Sequence, residues 1–343
     1  MERAIPDQRP HIVINLPPDS RPLLVVVVDT EEEFDWEKPF SRTATAISNI
    51  KCQDLAQRIF DRYGVKPLYV VDYPVASQPE GYKPLLAFRA SGVCDIGAHL
   101  HPWVNPPFEE EITSANSFAG NLPRALEHAK LARLTDVIAE NFDVRPTIYR
   151  AGRFGFGPST ADALEMLGYE IDTSIIPLVD FRAVGGPDFR HFGPQPYWLG
   201  TQGGLLEVPP TAAYTGMLAN AGTWFHHLLD TRAMRAARLP GLCDRLGLFG
   251  RLRLTPEGFT LQQMRHLTWA MLRSGHRVFN LMYHSSSLAP GHTPYVTSHS
   301  ELERFLATLE GFLDYFLGAV GGEAISFPAI KARLDASSTV PAA

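Results

Sequence analysis

The sequence predicts a parallel α/β fold, either a doubly wound sheet or, since about seven strand–helix units follow one another, an incomplete barrel. Three observations lead there. Residues 23–29, LLVVVVD, form an unbroken Val/Leu run of the kind found in strands buried on both faces. Short β-rich runs alternate with helical patterns along the chain, which requires right-handed parallel crossovers. No repeat, low-complexity linker or break in composition divides the chain.

The elements follow in order. After the first strand a helix is expected over 48–63, stopped by Gly64. KPLYVVD (66–72) is the second strand, and a helix over 82–90 leads to CDIGAHLH (94–101). A long helix over 122–141 precedes TIYRAG (147–152); a shorter one over 158–167 ends at Gly168 before YEIDTSI (169–175). The second half adds strands at LLEVPPT (205–211), RVFNLMYHS (277–285) and AISFPAI (324–330), with helical stretches over 223–246 and 300–317. Residues 1–20 are polar and Pro-rich and read as an extended arm, 21–332 as a single barrel domain, and 333–343 as a disordered tail.

Composition narrows the function classes. The 343 residues carry 31 Lys plus Arg against 37 Asp plus Glu, a net charge of −6. That balance argues against nucleic-acid binding, which needs a basic excess, and 45% hydrophobic residues argue against disorder. Three cysteines, none at C-x-x-C spacing, give neither a disulfide framework nor a structural zinc knuckle. The N-terminus has no apolar run resembling a signal peptide, and no stretch is long enough to span a membrane, so the expected location is the cytoplasm.

Chemistry-bearing residues collect at the carboxyl ends of the strands, where parallel α/β folds bind ligands. Strand one ends in Asp29-Thr30-Glu31. Residues two apart on a strand share a face, so both carboxylates can enter one pocket, one as metal ligand and the other as general base. His99 and His101 share a face by the same rule and, with a carboxylate, make a two-histidine, one-carboxylate set. Arg150 and Arg153 lie at the fourth strand end, Asp172 in the fifth strand, and Tyr283 and His284 at the end of a late one, where His284 suits a general acid. Trp103, just beyond the histidine pair, is a candidate sugar-stacking wall. His226, His227 and His292 read as ordinary helix and loop residues. There is no G-x-S-x-G nucleophile elbow and no Gly-rich phosphate loop.

Taken in order, VVVDTE, GAHLHPW, YRAGRFG, DTS at Asp172 and LMYHS resemble the polysaccharide deacetylases (carbohydrate esterase family 4, NodB homology) over roughly residues 23–330. HLHPWVNPPFEE, RAGRFGFGPST and HSSSLAPGHTPYV are most similar to the WalW-type subgroup. The resemblance implies a distorted (β/α)7 barrel and metal-dependent removal of N-acetyl groups from a polysaccharide or sugar precursor. It further implies Asp29 as base, Glu31, His99 and His101 as ligands of a divalent metal (zinc, with cobalt or nickel as alternatives), and Arg150 orienting the base. Asp172 would tune His284 as the acid, and Trp103, Arg153 and Tyr283 would meet the carbohydrate. The chain departs from the family pattern in three places. Its acids are separated by one residue rather than adjacent, its histidines are spaced H-x-H rather than three apart, and the arginine motif lacks its proline. A catalytically inactive carbohydrate-binding barrel and a hydrolase of a non-sugar amide are the alternative readings; oligomeric state is not readable.

Overall fold

The run Leu23–Thr30 forms strand β2, and all eight of its side chains are buried. Its two faces go to different cores. Leu24, Val26 and Val28 pack outward against helices, whereas Leu23, Val25 and Val27 join Leu68, Val70, Ile148, Ile171 and Leu206 in the interior of the sheet's curve. A strand sandwiched in this way gains nothing from polar alternation, which is why the sequence there is almost entirely Val and Leu.

The computed structural model describes residues 11–36, 38–219 and 248–338, with isolated positions between 220 and 247. The helical stretch expected over 223–246, with His226 and His227, therefore lies mostly outside the described residues. β1 (His11–Val13) falls in the expected N-terminal arm and pairs antiparallel with β7 (Tyr197–Leu199), which in turn pairs antiparallel with β8 (Leu205–Glu207). From β8 the sheet continues through β6 (Ile171–Asp172), β5 (Ile148–Ala151), β4 (Asp95–Leu100), β3 (Leu68–Val71) and β2 to β11 (Val278–His284). These last seven strands run parallel. β9 (Ala212–Thr215) and β10 (Gly250–Arg253) form a separate hairpin-like pair, and β12 (Glu323–Ala324) pairs with the start of β2.

The ring is completed by irregular backbone rather than by a ladder. The Thr211 N–H donates to Asn280 O at 3.2 Å, the Met282 N–H donates to Leu254 O at 3.2 Å, and the Asn280 side-chain amide donates to Thr173 Oγ1 and Val208 O. The result is a distorted (β/α)7 barrel. Gly97 permits the curve: a Cβ there would stand 2.8 Å from Ile148 O. One end of the interior is stoppered by Phe327, Ile330 and Leu334 of the C-terminal helix Phe327–Ser338. That helix runs across residues 333–338, which composition placed in the tail.

The outer helices follow their sequence signals. Gln53–Tyr63 ends at Gly64 in the left-handed conformation, Thr160–Leu167 ends likewise at Gly168, and Leu261–Arg273 starts from a Thr260/Gln263 capping box. Among the described residues no helix is long and apolar enough to cross a membrane.

Candidate functional site

Parallel registry brings the polar strand ends together. Asp29 of β2 lies opposite His284 of β11, and His99 of β4 lies opposite Arg150 of β5. In β2 the odd-numbered residues face the interior, so Asp29 continues the line of Val25 and Val27 onto the rim, with Glu31 beyond it. Arg150 follows Ile148 inward in the same way. Arg150 is fully buried, and its Nε stands 2.7 Å from Asp29 Oδ1; its other nitrogens reach Thr173 O and Met282 Sδ. This fixes the Asp29 carboxyl, whose second oxygen is 3.8 Å from His284 Nε2.

Glu31, His99 and His101 converge beside Asp29. Nε2 of each histidine stands 3.4 Å from Glu31 Oε2, and all three residues are buried. His99 Nδ1 is 2.9 Å from Arg150 O, a carbonyl that can only accept, so the imidazole proton sits on Nδ1 and Nε2 offers a lone pair. His101 Nδ1 lies 2.7 Å from Glu32 Oε2, which turns its Nε2 to the same point. Burial drives His99 well below the ordinary imidazole range and lowers His101, favouring the neutral form a metal needs; burial also pushes Glu31 up to about 8.

These residues fit a divalent cation. Two ligands about 2.1 Å from a tetrahedral ion stand about 3.4 Å apart, which is the separation between Glu31 Oε2 and each Nε2. Glu31 Oε1 is buried without a hydrogen-bond partner, a polar atom that a cation would satisfy. Glu32 is the outer support: it also accepts from Trp103 Nε1 at 2.8 Å and sits against Asp72, whose carboxyl is pushed well up by burial and by Glu32 itself.

Beside Asp29, Glu257 holds His284. One carboxylate oxygen is 2.8 Å from Nδ1; the other accepts from the His284 backbone N–H at 2.9 Å and from Ser287 Oγ at 2.5 Å. Burial pulls the imidazole down, but Glu257, then Glu31 and Asp29, more than offset it and hold His284 up at about 10. His284 therefore carries a proton on Nε2 at neutral pH, facing a cavity of about 270 Å³ that Asp29, Glu31, Phe34, Trp36, Arg153 and Tyr295 also line.

Three residues expected at the site are placed elsewhere. Asp172 follows the inward-facing Ile171 and so points outward, where it accepts from Ser174 Oγ at 2.6 Å and pairs with the buried Glu207. It does not tune His284; Glu257 does. Tyr283 is likewise out of phase with His284 and packs among helices against Phe60 and Phe305, away from the cavity. Trp103 is buried and stacks on His101 with ring centroids 4.3 Å apart, backing that imidazole rather than forming a wall for sugar. Arg153 does line the cavity. Glu257 and Glu32 went unnoticed in the sequence: Glu257 sits in a loop after β10, and Glu32 looks like one more acid in a run of three.

No protein-family model and no curated protein matches the chain. Solved structures do. A protein from Mycobacterium smegmatis, described as a candidate polysaccharide deacetylase, superposes with a TM-score of 0.57 at 15% identity, over 97% of each chain. This likeness establishes the fold. A Xyl-CE4 domain of a multidomain xylanase from the hindgut metagenome of Trinervitermes trinervoides aligns with a TM-score of 0.42 at 9% identity, over 94% of this chain and 93% of that one. The peptidoglycan deacetylase PdaC of Bacillus subtilis aligns with a TM-score of 0.38 at 9% identity, over 94% and 95%.

Proposed function

We propose that the chain is a metal-dependent N-deacetylase of the polysaccharide deacetylase family, in its WalW-type subgroup, acting on a polysaccharide or sugar precursor. The observation that carries this reading is a fixed carboxylate, Asp29, beside a histidine, His284, in a cavity that the Glu31–His99–His101 donor set also lines. The sequence motifs and the barrel shared with the Mycobacterium smegmatis protein support the same assignment.

Glu31, His99 and His101 would hold a divalent cation, which when bound acidifies water and polarises an amide carbonyl. The rest is work for the chain's own side chains. Asp29, oriented by Arg150, accepts the proton of the attacking water as its oxygen adds to the acetamide carbon. His284 Nε2 donates a proton to the amine nitrogen as the C–N bond breaks, leaving acetate and a free amine. The proton taken up by Asp29, whose Oδ2 is 3.8 Å from His284 Nε2, then passes back to His284, and Glu257 stabilises the imidazolium so restored.

The test is acetate release from a panel of N-acetyl sugars and oligomers, with and without chelator, together with metal analysis of the purified protein. Chelator-sensitive release that disappears in Asp29→Asn is expected. Undiminished activity in Asp29→Asn, or activity indifferent to chelator in a protein that holds no metal, would overturn the assignment.

A further inference from the structure

The turn after β5, Gly152–Phe154, holds Arg153 in an unusual setting. Arg153 has φ of 54° and Phe154 has φ of 59°, consecutive left-handed conformations at residues that carry side chains. Such backbone persists where surrounding structure imposes it, and it concentrates at functional sites. The imposing structure is visible: the Arg153 guanidinium lies over the Phe118 ring at 4.2 Å and the Phe40 ring at 4.9 Å. Its Nη1 donates to Ser114 O at 3.3 Å and to Ser117 Oγ. The side chain is thus aimed and held, and it lines the same cavity as Asp29, Glu31 and His284.

Among the described residues its charge has no counterpart. Asp29 is paired with Arg150, Glu257 with His284 and Asp35 with Lys38, while Glu31 faces the two histidines. Among the described residues Arg153 meets no carboxylate, and its Nε and Nη2 meet no acceptor. Arg253, on β10 and also in the cavity wall with Tyr295, adds a second cation that meets no carboxylate among the described residues. An arginine fixed between two rings with free N–H donors is a pre-organised fork for a planar or tetrahedral anion.

We propose that Arg153 is a specificity-determining residue that binds an anionic group of the substrate, a carboxylate or phosphate borne on the same sugar as the amide that is cleaved. The proposal takes its reaction from the deacetylase reading above and adds the charge of the substrate. The test compares three probes: N-acetylglucosamine, the carboxylate-bearing N-acetylmuramic acid, and N-acetylglucosamine 6-phosphate. Each is titrated calorimetrically into the whole protein and then assayed for acetate release.

At least one charged probe is expected to bind about tenfold more tightly than the neutral sugar, and the tighter of the two identifies the anion. In Arg153→Asn, which keeps a residue tolerant of positive φ, the charged-to-neutral ratio should fall to about one, mainly through Kd and KM rather than kcat. Arg153→Lys should keep part of it. Equal binding of neutral and charged probes, no binding of either charged probe, or a preference that survives in a folded Arg153→Asn would overturn the proposal. Charge-dependent binding with no acetate release from these probes or from the oligomers of the panel above would instead refute the deacetylase reading and leave Arg153 as the anion site.

Discussion

The pairing of Glu257 with His284 can be tested without any substrate. In the metal-free protein His284 is held up at about 10, from an ordinary 6.5, and Glu257 is the largest contribution in that direction. At about 1.4 kcal/mol for each unit, those roughly 3.5 units correspond to about 5 kcal/mol of preference for the imidazolium in the folded state. A group whose folded pKa is raised contributes stability that is complete below its unfolded value. That contribution is lost as pH rises through the folded one, so the window here runs from 6.5 to about 10. Glu257→Gln keeps the side-chain shape and an acceptor for Ser287 and the His284 N–H, but removes the charge. With burial no longer opposed by its main partner, His284 should titrate about two units lower or more. NMR titration of the imidazole in chelated protein reads this directly, and urea unfolding at pH 6 and pH 9 should show a smaller alkaline loss of stability in the variant than in the parent. The same substitution should lower kcat at pH 9, where most of the acid would be deprotonated in the variant and still protonated in the parent. An imidazole that still titrates near 10 in Glu257→Gln would refute the argument.

Two further outcomes follow from other parts of the molecule. At Gly152 a Cβ would stand 2.1 Å from His101 Cδ2 and 2.6 Å from Leu100 O, so Gly152→Ala should displace a proposed ligand and weaken zinc binding about tenfold or more while the far-ultraviolet spectrum is kept; unchanged affinity for zinc would show that His101 is not a ligand. His276 is buried, and burial lowers it to about 4 from 6.5. Its contribution to stability is therefore present above pH 6.5 and is lost as pH falls toward 4. Between those values it amounts to about 3 kcal/mol, so His276→Leu should lose correspondingly less than the parent when urea midpoints are compared at pH 7 and pH 4.5; equal losses would rule His276 out.

The fold was legible because its signals are local and redundant. The helix over 53–63 has a C-terminal glycine, and β2 is a run that no exposed segment would tolerate. The phase of the strands was not legible, for a physical reason. A strand buried on both faces is apolar at every position, so hydrophobicity does not say which residues point inward. Asp29–Glu31 and His99–His101 escape this ambiguity, because two chemically matched residues at i and i+2 must share a face whatever the phase. Asp172 and Tyr283 stand alone in their strands and fell on the outward face. Glu257 could not be found in this way at all, since it reaches His284 from a loop 27 residues away.

The three site histidines then show why residue type alone does not assign a role. Each has its Nδ1 engaged and presents Nε2 to the cavity, so the geometry at the reacting nitrogen is common to all three. What differs is the acceptor behind. His99 leans on an uncharged carbonyl, whose hydrogen bond opposes burial too weakly to offset it, so it stays a neutral donor. His101 leans on Glu32, but that carboxylate is shared with Asp72 and Trp103, and burial still wins. His284 leans on Glu257, which accepts two further hydrogen bonds and is held below the usual carboxylate range although burial opposes it, chiefly by the positive charge of His284 itself. A fully ionised partner keeps its histidine protonated. Two histidines suited to a cation and one suited to giving up a proton are therefore set by residues that touch neither.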